Sequence, residues 1–201
     1  MSAGLLVVVI AVIVIAVAAG ALGLWPMQRS RRLRSKFGPE YDRTVEESED
    51  RRRAERELAE RERRHSDFDL RELSDEEKQR YVRQWAEVQE RFVDTPAETL
   101  TEADRLVTTV MAERGYPTED YDQRLADLSV QHATVLGHYR TAHEITTRQA
   151  DLKAQTGSVS TETMPTEAVS TEDMRTAIVH YRELFQDLLD GRADTNKDAV
   201  S

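Results

Sequence analysis

Apolar and polar positions fall into three regimes along the chain. The first is Ala3 to Trp25 (AGLLVVVIAVIVIAVAAGALGLW), twenty-three residues without a charged side chain. As a helix this run is roughly 34 Å long, and a bilayer core of about 30 Å needs about 20 apolar residues. The pattern predicts a single transmembrane helix over residues 1–28. A secretory signal peptide is the competing reading, with small residues at Ala16–Ala18 and Ala19–Ala21. Met1 and Ser2 supply no basic n-region, however, and the apolar core exceeds the usual 7–15 residues of such a signal. Arg29, Arg31, Arg32, Arg34 and Lys36 follow the run with no acid among them. By the positive-inside rule this leaves the N-terminus outside and the rest of the chain cytoplasmic, at a plasma membrane, with Trp25 at the interface. Ala16 with Gly20 and Ala19 with Gly23 are small-xxx-small pairs, so a weak homodimer is expected through the span or through the spacer that follows it.

The second regime, residues 29–66, is a basic stalk followed by a charged helical spacer. Gly38 and Pro39 punctuate the stalk. From Thr44 to about His65 apolar residues are sparse, but Glu47–Arg51, Glu49–Arg53, Glu57–Arg61 and Glu60–Arg64 are acid-before-base pairs at i,i+4. Each is worth about 0.2–0.5 kcal/mol to an isolated helix. No apolar heptad is sustained, so a solvated helix is favoured over a coiled coil.

The third regime, residues 67–191, is amphipathic at helical spacing. Ser74 with Glu77 forms a capping box ahead of Tyr81, Trp85, Val88 and Phe92. Thr95 and Pro96 start a second helix carrying Leu100, Ala103, Val107, Val110 and Met111, which Gly115 ends. Tyr121, Leu125 and Leu128 mark a short third helix. A fourth, from about His132 to Asp151, carries Val135, Leu136, Tyr139, Ala142 and His143. The last runs from Ser170, capped against Asp173, through Met174, Ile178, Tyr181, Leu184, Phe185 and Leu188 to Gly191. No alternating run is long enough for a strand, so the expected fold is all-α, a bundle of about five helices. Residues 159–164 (VSTETM) recur as 169–174 (VSTEDM), a duplication that lengthens the linker before the last helix; residues 192–201 read as a disordered tail.

Charge changes the picture more than composition does. The chain is −10 overall, yet residues 28–74 hold fourteen basic and thirteen acidic residues (14 − 13 = +1), while residues 75–190 hold twelve and twenty-three (12 − 23 = −11). An acidic domain repels phosphate backbones, which argues against a nucleic-acid partner. The basic cluster at 29–36 suits anionic lipid head groups, or serves as a topology signal alone. With no cysteine, disulfides, thiolate metal sites and a cysteine nucleophile are excluded.

Phe37 to Arg43 (FGPEYDR), Arg91 to Asp94 (RFVD), Arg114 to Pro117 (RGYP), Ala126 to Val130 (ADLSV) and His180 to Phe185 (HYRELF) together resemble a family of uncharacterised bacterial proteins, frequent in actinobacteria and often labelled as secreted or membrane proteins. The resemblance implies a bacterial plasma-membrane location and brings no assigned catalytic or binding residue.

Candidate chemistry is thin. His132 and His143 share a helix face but stand about 16 Å apart along it, too far for one metal ion with bonds of about 2.1 Å. No H-x-x-x-H pair is present, so the histidines read as flanking residues and no metal or cofactor is expected. The triplet His-Tyr-Arg occurs at 138–140 and again at 180–182, each tyrosine on an apolar stripe. This reads either as two buried tyrosines or as matched groups presented to one ligand or partner, with Trp85, Tyr139, Arg140, His143, Tyr181 and Arg182 as the candidate surface. No phosphate loop, dinucleotide fingerprint, nucleophile elbow or zincin motif marks an enzyme. The expected function is a membrane-tethered helical adaptor binding an unknown protein. A ligand-binding or enzymatic bundle, and an envelope-structural protein acting by self-association, are the alternatives.

Overall fold

A computed structural model describes residues 27–156 and 169–191 of the chain. They are all-α: eight helices and no strand among the described residues. Residues 27–37 form α1, followed by α2 (Pro39–Glu47), α3 (Arg51–Ser66), α4 (Asp75–Arg91), α5 (Pro96–Glu113), α6 (Tyr121–Leu128), α7 (Ala133–Thr156) and α8 (Thr171–Asp190).

One expectation is corrected here. No helix among the described residues is long and apolar enough to cross a membrane, so they do not support the expected single-pass architecture, whose span over 1–28 falls almost wholly outside them. The longer described helices α4, α5 and α8 set apolar residues on one face and charges on the other, which suits packing against protein rather than immersion in hydrocarbon. The apolar run 3–25, with Trp25, the tail 192–201 and most of the linker 156–168 lie outside the described residues.

The chain divides into two compact units between Ala59 and Glu60. The first unit, residues 1–59, takes in the expected basic stalk and most of the expected charged spacer. Gly38, at φ +48°, breaks the chain between α1 and α2, and Pro39 occupies the first position of α2, where its missing N–H costs nothing. A second break at Ser48 to Asp50 separates α2 from α3, so Glu47–Arg51 and Glu49–Arg53 are not pairs on one helix. Asp50 caps the new start, its Oδ1 accepting from the backbone N–H of Arg52 at 3.0 Å. Most of the apolar residues described in this segment are buried, namely Leu33, Phe37, Tyr41, Ala54 and Leu58, while Val45 and Ala59 are half-buried and Met27 is exposed.

The second unit holds the main core. Its order of packing is α4 on α5, α5 on α7 and α8, α7 on α8, and α6 on α7. α5 and α7 each pack against three other helices, and the α5 stripe Leu100, Ala103, Val107, Val110 and Met111 is fully buried. The caps form as the sequence requires at α4 and α8: Ser74 and Glu77, then Ser170 and Asp173, complete reciprocal capping boxes. Arg71 and the Ser74 hydrogen bonds hold the Glu77 carboxyl down at about 2. Thr95 departs from expectation, making no side-chain cap for α5; its hydroxyl turns back toward the Arg91 carbonyl at 3.4 Å. Gly115 ends the α5 segment at φ +94°.

Candidate functional site

The seam between α7 and α8 collects most of the unusual side chains. Its pairings step backward along α8 as they step forward along α7, from His132–Asp187 to His138–Glu183 to Tyr139–Tyr181. The two helices are thus antiparallel, and Tyr139 faces Tyr181 with ring centroids 6.0 Å apart, edge to face.

Three layers follow from that register. In the interior, Tyr139 and Tyr181 are fully buried, and the Tyr181 hydroxyl donates to Thr146 Oγ1 at 3.0 Å. Burial first, and Asp104 nearby second, push both phenols well above their ordinary value. Trp85 is also buried and stacks on Phe185 at 4.8 Å. Toward one flank, His143 lies half-buried between Asp104, 3.3 Å from its Nδ1, and the face of Tyr121, stacked at 4.0 Å. Burial raises the Tyr121 phenol to about 12.

At the end of the seam near the start of α7, His132 is 2% exposed. Its Nδ1 is 2.5 Å from Asp187 and its Nε2 is 3.1 Å from the Tyr116 hydroxyl. That hydroxyl also reaches Gln131 Oε1 at 2.8 Å. A carboxylate–imidazole–phenol relay of this kind orients a proton, but here it joins the loop after α5 to the starts of α7 and the end of α8, and its histidine is enclosed. Arg64 of α3 adds a similar tie, bonding the buried Asp127 at 3.0 Å.

On the outer side of the seam, His138, His180 and Glu183 converge. The two imidazoles stack at 4.5 Å and 9°. His138 Nδ1 pairs with the Glu183 carboxylate. His180 Nδ1 is buried without a hydrogen-bond partner among the described residues, and burial first, then His138, lowers the His180 pKa.

Of the six residues read as a candidate surface, the structure brings Tyr139, Tyr181 and His143 close together, Tyr139 lying 6.2 Å from His143. Trp85, Tyr139 and Tyr181 face the core, Arg140 is half-buried, and Arg182 is exposed. The residues passed over were His180 and Glu183 as a pair. Their signal in the chain is H-x-x-E at i,i+3 together with the repeated triplet.

In the first unit, Arg31 and Arg34 line a cleft of about 420 Å³ with Arg51, Arg52, Tyr41 and Glu55. Arg29 donates to the Glu55 carbonyl at 3.4 Å, and Arg32 and Lys36 are exposed. Burial pushes the Glu55 carboxyl up, but hydrogen bonds from Ser30, Tyr41 and Arg51 outweigh it and hold the group below the usual range. The guanidinium cluster thus already contains its own counter-ion.

No protein-family profile, curated protein or solved structure matches the chain, and the motif resemblance stands on its motifs alone. Several of those motif residues have structural work here: Gly38 turns the chain, Asp127 binds Arg64, and Arg114 is fully buried.

Proposed function

We propose that the α4–α8 bundle is a protein-interaction module, an adaptor that recognises a basic protein surface. The observation that carries this reading is the filled interior. Trp85, Tyr139 and Tyr181, where a ligand pocket in the bundle would have to open, are 5%, 0% and 0% exposed and are packed ring against ring. A small-molecule site needs a concave apolar cavity with a few convergent polar groups. With the interior given to packing, recognition falls to the outer faces, and residues 75–190 carry eleven more acids than bases. Complementary charge raises association rates and discriminates among partners more than it adds affinity.

The test places a photo-crosslinking residue at Val82 or Val179, both about half exposed, in the full-length chain in its native cells. The reading expects a discrete protein adduct that weakens when neighbouring acids are neutralised and as salt is raised. Adducts that are absent, or indifferent to both changes, would turn the assignment toward a ligand binder or a self-associating structural protein.

A further inference from the structure

We infer that His138, His180 and Glu183 form a binding site for a divalent transition-metal ion of the zinc type, bridging α7 and α8. Each residue offers one ligand atom, and these atoms all lie within 4.8 Å of one another.

The site follows from the helix pair. Tyr139 and Tyr181 face each other across an antiparallel seam. A residue one position before each tyrosine is rotated about 100° round its helix. Because the two helices are related by a local two-fold across the seam, that rotation carries His138 and His180 to the same side. Glu183 lies three residues after His180, one turn along the same face. The residues one position after each tyrosine, Arg140 and Arg182, fall on the opposite flank, so their charges do not oppose a cation among the histidines.

The local chemistry is unbalanced without a third partner. The His138–Glu183 contact satisfies those two groups. It leaves His180 Nδ1 buried and without a hydrogen bond among the described residues, although buried polar atoms ordinarily have partners. An ion at the shared edge of the two stacked rings, in reach of their in-plane nitrogens, gives His180 a bond and keeps the carboxylate engaged. Two imidazoles and one carboxylate suit zinc and its neighbours, whereas magnesium and calcium take all-oxygen sites. Tetrahedral bonds of about 2.0–2.1 Å place ligand atoms about 3.3 Å apart. The side chains of His138 and Glu183 are 50% and 39% exposed, free to close the remaining distance, and a three-ligand set leaves a position for water. The bound ion would fasten α7 to α8 at the outside of the seam, as the tyrosines do at its inside.

The experiment uses the full-length chain, stripped with chelator and titrated with zinc chloride against a chromogenic competitor. One saturable equivalent is expected, accompanied by a rise in melting temperature, since a ligand that binds only the folded state stabilises it. Cobalt(II) should give the intense visible absorption of a four-coordinate site. His138→Ala, His180→Ala and Glu183→Ala should each weaken zinc binding by more than the roughly 10–100-fold typical of losing an outer-shell partner. His143→Ala should leave it unchanged. In case His180→Ala unfolds, the exposed His138→Ala is read with its circular dichroism melt, and zinc-induced shifts of the His138 and His180 ring resonances are followed in the unaltered protein. Absence of a saturable equivalent overturns the inference, as does binding that survives His138→Ala or that excess magnesium displaces, the signature of a diffuse acidic surface.

Discussion

The Arg114 guanidinium donates through Nη1 to the backbone carbonyl of Leu188 at 2.8 Å, across 74 residues of chain. Both side chains are fully buried. The carbonyls of a helix C-terminus lack intrahelical partners and carry the negative end of the dipole, so a cation is favoured there. Arg114 Nε and Nη2 have no hydrogen-bond partner among the described residues, so the other contributions are the volume of the side chain and its place 6.0 Å from the Tyr116 ring centroid. Arg114→Ala is expected to cost about 2–5 kcal/mol, combining a cavity with an orphaned carbonyl. Arg114→Met retains most of the volume and is expected to cost about 1–3 kcal/mol. Urea unfolding of the two variants separates volume from the contacts of the guanidinium; equal losses would assign the effect to those contacts alone.

Two glycines are expected to respond in opposite directions. A Cβ on Gly115 would stand 2.6 Å from the Asp69 backbone carbonyl oxygen, at φ +94°. Neither the backbone nor the left-handed conformation gives way cheaply, so Gly115→Ala should destabilise by about 1–3 kcal/mol or more. Gly137 is helical, and a Cβ there meets nothing within 4 Å. Gly137→Ala should stabilise by up to about 1 kcal/mol through helix propensity. Thermal melts followed by circular dichroism compare the pair directly.

The buried phenols make the fold sensitive to alkali. Burial raises the Tyr121, Tyr139 and Tyr181 phenols above the ordinary value near 10, Tyr121 to about 12. Below pH 10 the phenols are neutral in folded and unfolded chains alike, and their burial contributes in full. Above it the unfolded chain loses phenolic protons that the folded chain keeps, so stability falls as pH rises from about 10 toward 12. Denaturant midpoints measured at pH 8 and pH 11 should show this loss. Absorbance at 295 nm should show part of the tyrosine signal ionising only with unfolding. In a Tyr181→Phe variant the decline should be shallower.

How much of this was legible in the chain depends on how local the cause was. The amphipathic stripes of α4, α5, α6 and α8 fall where the spacing predicts them, and the Ser74–Glu77 and Ser170–Asp173 capping boxes close within four residues. The break of the charged segment at Ser48–Asp50 was not legible. Acid–base spacing favours a continuous helix, whereas the chain turns twice, at Gly38 and again before α3, and buries Leu33, Phe37, Tyr41, Ala54 and Leu58. Arg64 likewise matches a helical neighbour in sequence yet bonds Asp127, 63 residues away.

The sequence by itself determined the all-α class, the bounds of α4, α5, α6 and α8, the acidic character of residues 75–190 and the tyrosines at matching positions of two stripes. These depend on periodicity, capping and charge, which act over a few residues. Tertiary structure alone decided that α7 and α8 run antiparallel with Tyr139 against Tyr181. That register turns a repeated triplet into a cluster of His138, His180 and Glu183, and sets His132 on Asp187 across 55 residues. One helix carries no information about which residue of another it will meet. The choice is made by the packing of all the stripes together, and the polar side chains on their flanks are brought face to face as a consequence.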